Sequence, residues 1–492
     1  MNKNLIYISL LSIVACNKLD VSPEGSISST QYYQTEADAI AAVNAVYGSL
    51  TYEASDQSLY GRNLYFLTDM GTDYAAAGAS AINANVRAIS ALSYDANNDR
   101  VALAWKQIYR GIDRANLAID NIPSTTASDD VKARLVNEAK FIRALLYFDA
   151  VQLWGPVPLV LHQTESLDAS SLKSTRTSRD SIYAQIVSDL TDALALPATY
   201  SGSNIGRATS GAAYSLLAKV YLARKDYANA IQYARSVIDS RSTYGYDLFT
   251  NFYDAFDPST KNGEEHIFSA QFTTGQSGTS SSTGNTFPAC SFNGFSQVET
   301  ADIVSDVSFY NLYQDADQRK KGSYSTGYLN PGTSAFFAYT GKPRFRKYVD
   351  TTYFTSLQAY APVNFPIIRY ADVLLVLAEA INEQSGPTDE AYESINEVRR
   401  RAFGYDIYTS GSTVDLSGLS QSQFRDSLRQ ERLLEFVQEG QRWFDLVRWG
   451  TLLDATKSIT GKTGVTARDT LYPIPQSLRD INPDGLWQNA GY

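Results

Sequence analysis

Cysteine and histidine are nearly absent: the 492-residue chain has two of each, Cys16, Cys290, His162 and His266. No Cys/His zinc cluster can be assembled from them, and no disulfide scaffold is open to the chain. Neither histidine stands near a nucleophile with an orienting acid, so a Ser-His-Asp arrangement has no support. Glu264-Glu265-His266 reads as a solvated turn. Basic excess is missing too. Forty-two Lys and Arg face 52 Asp and Glu, a formal net charge of −10, which argues against a nucleic-acid binder. No glycine loop for phosphate occurs; Gly275-Gln276-Ser277-Gly278 has the composition of a linker. One apolar run stands out, the eleven residues Leu5–Ala15, short of the roughly 20 that span a bilayer. What the chain has in quantity is tyrosine, 34 residues, in a composition 44% apolar and 19% charged. Such a chain buries a large core and is not disordered.

Lys3, the apolar run and a small residue before Cys16 read as a secretory signal over residues 1–15. Ile13-Val14-Ala15-Cys16 looks like the bacterial lipobox, in which the cysteine is acylated; an ordinary cleaved signal is the alternative. Several acyl chains hold a protein at a membrane where one anchors only marginally. Cys16 is thus the expected lipidation site, residues 16–34 the lipidated N-terminus and leash, and Cys290 a thiol without a partner.

Residues 35–492 read as one all-α dominated domain, a tetratricopeptide-like scaffold with long irregular insertions at about 52–99 and 244–365. Residues 101–121 and 129–153 are predicted helices, the second ended by Trp154-Gly155-Pro156. A further helix follows Ser178. Ala213, Leu216, Leu217, Val220 and Tyr221 then recur at i, i+3, i+4, i+7, i+8, and Ala230, Ala234 and Val237 return after a turn at Asp226. A second pair follows Tyr370 and Asp389. Such pairs cannot cover their own apolar faces, so about three must stack. The insertions carry many aromatics around a small, polar stretch at 273–285, and segments of that length inside a compact chain are usually functional.

Several blocks resemble the SusD/RagB family of outer-membrane nutrient-binding lipoproteins: Asn137–Ala144 running to Trp154-Gly155-Pro156-Val157-Pro158, Arg369–Leu375 with Ala378-Glu379-Ala380, Glu431–Gly450, and the closing Tyr472-Pro473-Ile474-Pro475 and Gln488–Tyr492. The resemblance implies four tetratricopeptide units that sit as a lid on a SusC-like TonB-dependent transporter. It implies capture of oligosaccharides, or in some members peptides, at the cell surface, without chemistry. The alternative from the residues is a lipid-anchored helical-repeat adaptor that assembles surface proteins.

Flat rings suit the apolar faces of sugars, and Asp, Asn, Gln or Arg suit their hydroxyls. Loop context and the family's site location point to Tyr60, Asp73 and Tyr74 from the first insertion, and to Tyr324, Tyr328, Phe336 and Tyr339 from the second, as ligand-binding residues. Glu431, Glu435 and Glu439, in steps of four, belong on one helical face. The interleaved Arg432, Arg442 and Arg448 make them a salt-bridge network, not a glycosidase pair, since a proton donor needs a raised pKa. Glu379 reads the same way. Asp315/Asp317 and Asp302/Asp306 could hold calcium, but no recognisable ligand loop surrounds them. Calcium stays unassigned, and no other cofactor or metal is expected.

Overall fold

The computed structural model describes residues 32–51, 58–78, 81, 83–164, 173–273, 303–304, 306–329, 336–338, 342–348, 363–462 and 464–492. Cys16, Cys290, Asp302 and Tyr339 lie outside these residues. The helical frame runs through α1 (Glu36–Gly48), α2 (Asp99–Asn121), α3 (Asp129–Trp154), α4 (Arg179–Ala193), α5 (Ser210–Ala223), α6 (Tyr227–Asp239), α7 (Tyr370–Ser385), α8 (Asp389–Ala402), α9 (Gln421–Glu435) and α10 (Arg442–Trp449). From α2 to α8 each helix packs on the next, so the stack is continuous, as the repeat pattern requires. Among the described residues no helix is long and apolar enough to cross a membrane.

Local chemistry sets the helix ends. Thr209 accepts from Ala212 N–H to start α5, and Asp226 accepts from Asn229 N–H to start α6. Between them Lys225 takes φ +61° to reverse the chain. Ser420 and Gln423 form a reciprocal capping box on α9. α3 stops at Gly155, whose φ of +75° a side chain would resist. Small residues let helices approach: Ala213, Ala218, Ala230 and Ala234 are fully buried where α5 and α6 meet. At Gly111 of α2, an added Cβ would stand 2.5 Å from Leu146 Cδ1 and 2.7 Å from Ser49 Oγ.

Residues 240–369 intervene between α6 and α7, yet α7 packs directly on α6. The chain therefore leaves the stack and returns to the same place. β2 (His266–Ala270) and β8 (Phe365–Arg369) close the base of this excursion as an antiparallel ribbon, Ala270 opposite Phe365 and His266 opposite Arg369. Within it lie β3 (Ile303–Val304), β4 (Tyr324–Ser325), β5 (Gly327–Leu329), β6 (Phe336–Ala338) and β7 (Arg344–Phe345). β4 pairs with β7, and β5 with β6. The earlier excursion is not peripheral. Leu59–Met70 is buried throughout, folded as two wide helical turns against α2 and α10. It leads into β1 (Ala75–Ala76), which pairs with β3. The two insertions thus meet through a strand pair.

Candidate ligand-binding surface

The surface is built where those insertions join. Tyr74, next to β1, lays its ring edge-on against Phe345 of β7, centroids 5.6 Å apart. Tyr324 of β4 packs on the same Phe345 at 5.4 Å, and on Tyr313 and Tyr310 at 5.5 and 5.7 Å. Tyr313 in turn donates to the Leu434 carbonyl of α9 at 2.8 Å. A continuous group of rings therefore ties both insertions to the frame. Between β4 and β7 in the chain, the β5–β6 hairpin sets Leu329 opposite Phe336 and Tyr328 opposite Phe337. Phe336 is 60% exposed, a large apolar ring held out on a strand.

The seven expected ligand residues separate into two kinds. Asp73, Tyr74, Tyr324 and Tyr60 are buried, against the expectation that loop residues would be displayed. Each is occupied internally. Asp73 accepts from Arg442 Nε at 2.9 Å. The Tyr74 hydroxyl donates to Asp69 and accepts from the Gln438 N–H at 2.9 Å. Tyr60 donates to Asp149 from a position facing a different space, a narrow cleft of about 60 Å³ partly open to solvent and lined by Phe148, Leu216, Lys219, Phe365 and Phe444. Asp73, Tyr74 and Tyr324 support the joint between the insertions, while Tyr60 belongs to the separate cleft. Phe336 is displayed, Tyr328 lies on the neighbouring strand, and Tyr339 falls outside the described residues. Local sequence missed Phe345, Arg442 and Lys462. The Lys462 ammonium is buried and donates to the carbonyls of Met70 (2.7 Å), Thr72 and Ala75 (2.6 Å), cinching the turn that carries Asp73 and Tyr74. Only Arg442, inside the Glu431–Gly450 block, carried a signal.

Burial sets the protonation of the supporting acids. It pushes the Asp149 carboxyl up to about 7 despite the Tyr60 hydroxyl and nearby Lys219, and the Asp69 carboxyl up to about 7 despite its bonds to Tyr74 and Thr68. Asp372 goes the other way. Burial alone would raise it, but Lys219 and Arg432 outweigh that and bring it down to about 2.

Beneath the rings lies a buried ion cluster. Arg319 meets Glu431 at 2.5 Å and Glu435 at 3.1 Å; Arg369 meets Glu435 at 2.9 Å and Glu439 at 2.7 Å. Arg401 bridges Glu265 (2.8 Å) and Glu435 (2.5 Å), while Lys347 holds Glu439 at 2.7 Å. The three glutamates are ion-paired as expected, but not by the interleaved arginines: Arg432 pairs with Asp372 and Asp445, Arg442 with Asp73, and Arg448 with Glu379 and Asp445. There are two further differences. α9 ends at Glu435, and Glu439 reaches the cluster after a turn in which Gln438 takes φ +64°. Glu265 and His266 are not in a solvated turn but buried, because Glu265 accepts from Arg369, Arg401 and the Phe249 N–H. Burial would raise the Glu435 carboxyl, yet Arg401, Arg369, Arg319 and Lys347 hold it well below the usual range. It is set to stay ionised, the opposite of what a glycosidase acid needs. Glu379 accepts from Arg448 and from Trp449 Nε1. Asp315 and Asp317 pair with Lys320 and Arg319, and Asp306 caps a short helix. Among the described residues no group of three or more His, Cys, Asp or Glu is placed to hold a metal ion.

Known proteins show the same frame. A family profile described as "SusD family" matches residues 313–492, and one described as "Starch-binding associating with outer membrane" matches residues 19–222. SusD-like protein P2 of Formosa agariphila is 28% identical over 100% of this chain and 99% of its own length. The starch-binding protein SusD of Bacteroides thetaiotaomicron is 24% identical over 99% and 98%. A solved SusD homolog from Bacteroides thetaiotaomicron VPI-5482 superposes with a TM-score of 0.81 at 25% identity, covering 94% of this chain and 98% of that one. With the two profiles spanning both ends of the stack and relatives aligned from end to end, the chain belongs to the SusD family.

Proposed function

We propose that the protein is a cell-surface receptor that captures oligosaccharides where its two insertions meet and passes them, uncut, to a SusC-like TonB-dependent transporter. The observation that carries this reading is Phe336, an exposed ring on a short hairpin of the same insertion whose buried aromatics interlock. An apolar ring in water gains by covering the C–H face of a sugar, and its two torsions cost little to fix. The description of the profile matching residues 19–222 and the name of the SusD relative support a glycan as the ligand. Lipid on Cys16 holds the body at the outer membrane, with residues 16–34 as the leash. The paired, ionised carboxylates favour binding over hydrolysis.

Calorimetry of the protein with oligosaccharides from starch, laminarin and xylan tests the reading. Phe336→Ala should weaken binding about tenfold or more, on the order of 1.4 kcal/mol, with an unchanged unfolding midpoint. Chromatography should return the sugar intact. Affinity unchanged in Phe336→Ala, or cleavage of the sugar, refutes it.

A further inference from the structure

We propose that a second groove, sharing no residue with the aromatic surface, binds a neutral oligosaccharide. It lies between the α4–α5 loop (Ala198–Thr209), the turn Tyr244–Tyr246 after α6, and the segment Asn262–Ser269 that enters β2. The inference rests on the reading of the protein as a glycan receptor.

The groove is partly open to solvent and has a volume of about 210 Å³, so it takes part of a chain rather than enclosing a whole ligand. Two half-buried rings line it, and both are fixed in advance. Tyr244 stacks on Tyr246 with centroids 5.3 Å apart, and the Tyr246 hydroxyl bonds Thr209 Oγ1 at 2.8 Å. Tyr200 donates to Glu138 at 3.3 Å. Rings held this way lose little freedom when a sugar covers them. Gly245, at φ +70°, has nothing within 4 Å of the place a Cβ would occupy, which leaves the approach to the rings clear.

The polar side suits hydroxyls. Asn262 and Gln271 exchange two amide hydrogen bonds, 2.9 and 2.8 Å, at the exposed edge. His266 accepts the Asn262 N–H on Nδ1 at 2.9 Å and bonds the Ala255 carbonyl through Nε2 at 2.8 Å. These two bonds assign it the neutral form with the proton on Nε2, and they hold Asn262 at φ +55°. Glu264 is exposed beside them. The rim continues from there. The Glu264 carbonyl accepts the Asp247 N–H at 3.0 Å, and the Asp247 carboxylate accepts from Tyr408, a ring 51% exposed under Arg241.

Charge chooses the class of ligand. Arg207, the cation lining the groove, is taken up by Glu138 at 2.8 Å and Asn44 at 2.6 Å. Glu264 stands near Asp247, Glu265 and Asp254; burial first, then these neighbours, raise its carboxyl. A uronate or sulfated chain would add like charge, whereas a neutral sugar offers donors to the carboxylate and amides.

The test compares the whole protein, Phe336→Ala, Tyr244→Ala and Glu264→Gln in affinity gels and calorimetry. The probes are starch, laminarin and xylan, and their oligosaccharides, with polygalacturonate as the anionic probe. Wild type should bind a neutral chain at two sites and ignore polygalacturonate. Phe336→Ala should leave one site; Tyr244→Ala and Glu264→Gln should each remove the other with at least fivefold weaker gel retardation, and Tyr244→Phe should restore it. Glu264→Gln keeps the packing, so it decides the matter if Tyr244→Ala fails to fold. A single site abolished by Phe336→Ala and untouched by both groove variants overturns the second groove and leaves the receptor reading standing. No retention of any neutral chain overturns both.

Discussion

Replacing Glu435 with glutamine keeps the side-chain volume and removes one charge from the centre of the buried cluster. Arg401, Arg369 and Arg319 then lose partners at 2.5, 2.9 and 3.1 Å. All four side chains are at most 1% exposed, so water cannot take over. At an effective dielectric near 20, each contact of about 3 Å is worth roughly 5 kcal/mol before desolvation. The carboxylate's own burial cost offsets much of this, and breaking a buried pair from one side leaves a net loss of about 3–5 kcal/mol. Urea unfolding reads this directly. With a slope of about 3 kcal/mol/M or more, the midpoint should fall by roughly 1 M. Glu390→Gln is the control: its pair with Arg235 is 41% and 47% exposed and should cost under about 1 kcal/mol. The sign with pH also follows. A carboxyl whose folded pKa is depressed stabilises above its unfolded value, so the gap should be full at pH 7 and shrink below about pH 4. A Glu435→Gln midpoint no lower than that of Glu390→Gln would refute the cluster as the fastening of the second insertion.

Asp149 and Asp69 respond in the opposite sense, since burial raises both carboxyls to about 7. Each favours the folded state when protonated, so stability contributed near pH 4 is lost as pH rises towards about 7. Asp149→Asn should remove up to about 3 kcal/mol of the decline between pH 5 and 7.5, measured by urea unfolding at both pH values; an unaltered slope counts against a buried neutral acid. Lys462→Met leaves the carbonyls of Met70, Thr72 and Ala75 without their donor. A loss on the order of 3 kcal/mol is expected, with faster hydrogen exchange at residues 72–76 and weaker glycan binding. Protection at those amides equal to wild type would show that the clamp is idle.

The helical frame is readable in sequence because its information is local. The i, i+3, i+4, i+7 spacing of Ala213 to Val220, the Asp226 turn and the Gly155-Pro156 stop each act within a few residues. The arginines beside Glu431 and Glu435 in the chain mark the block as charged, but the actual pairing is not legible there: Arg319, Arg369 and Arg401 lie 116, 66 and 34 residues from Glu435. Glu265 is no different, since its partners Arg369 and Arg401 lie 104 and 136 residues away. Tyr74 and Tyr324 show the same limit within the candidate site. Composition marks them as tyrosines in loops, but only the pairing of β1 with β3 and of β4 with β7 turns those rings inward. Phe336 stays outward on the β5–β6 hairpin, and no pattern in its own neighbourhood separates it from Phe345.

The β2–β8 ribbon has a consequence for how such a receptor can change its diet. The strands close the excursion where it leaves the stack. Arg319, Lys347, Tyr313 and Phe345 anchor its inner part to α9 and to the first insertion. The outer β5–β6 hairpin is therefore what can be exchanged with little strain on the scaffold. Selection can then rewrite the tip of the protein for a new food source as one cassette, while the coils beneath keep their contacts and the whole keeps its seat.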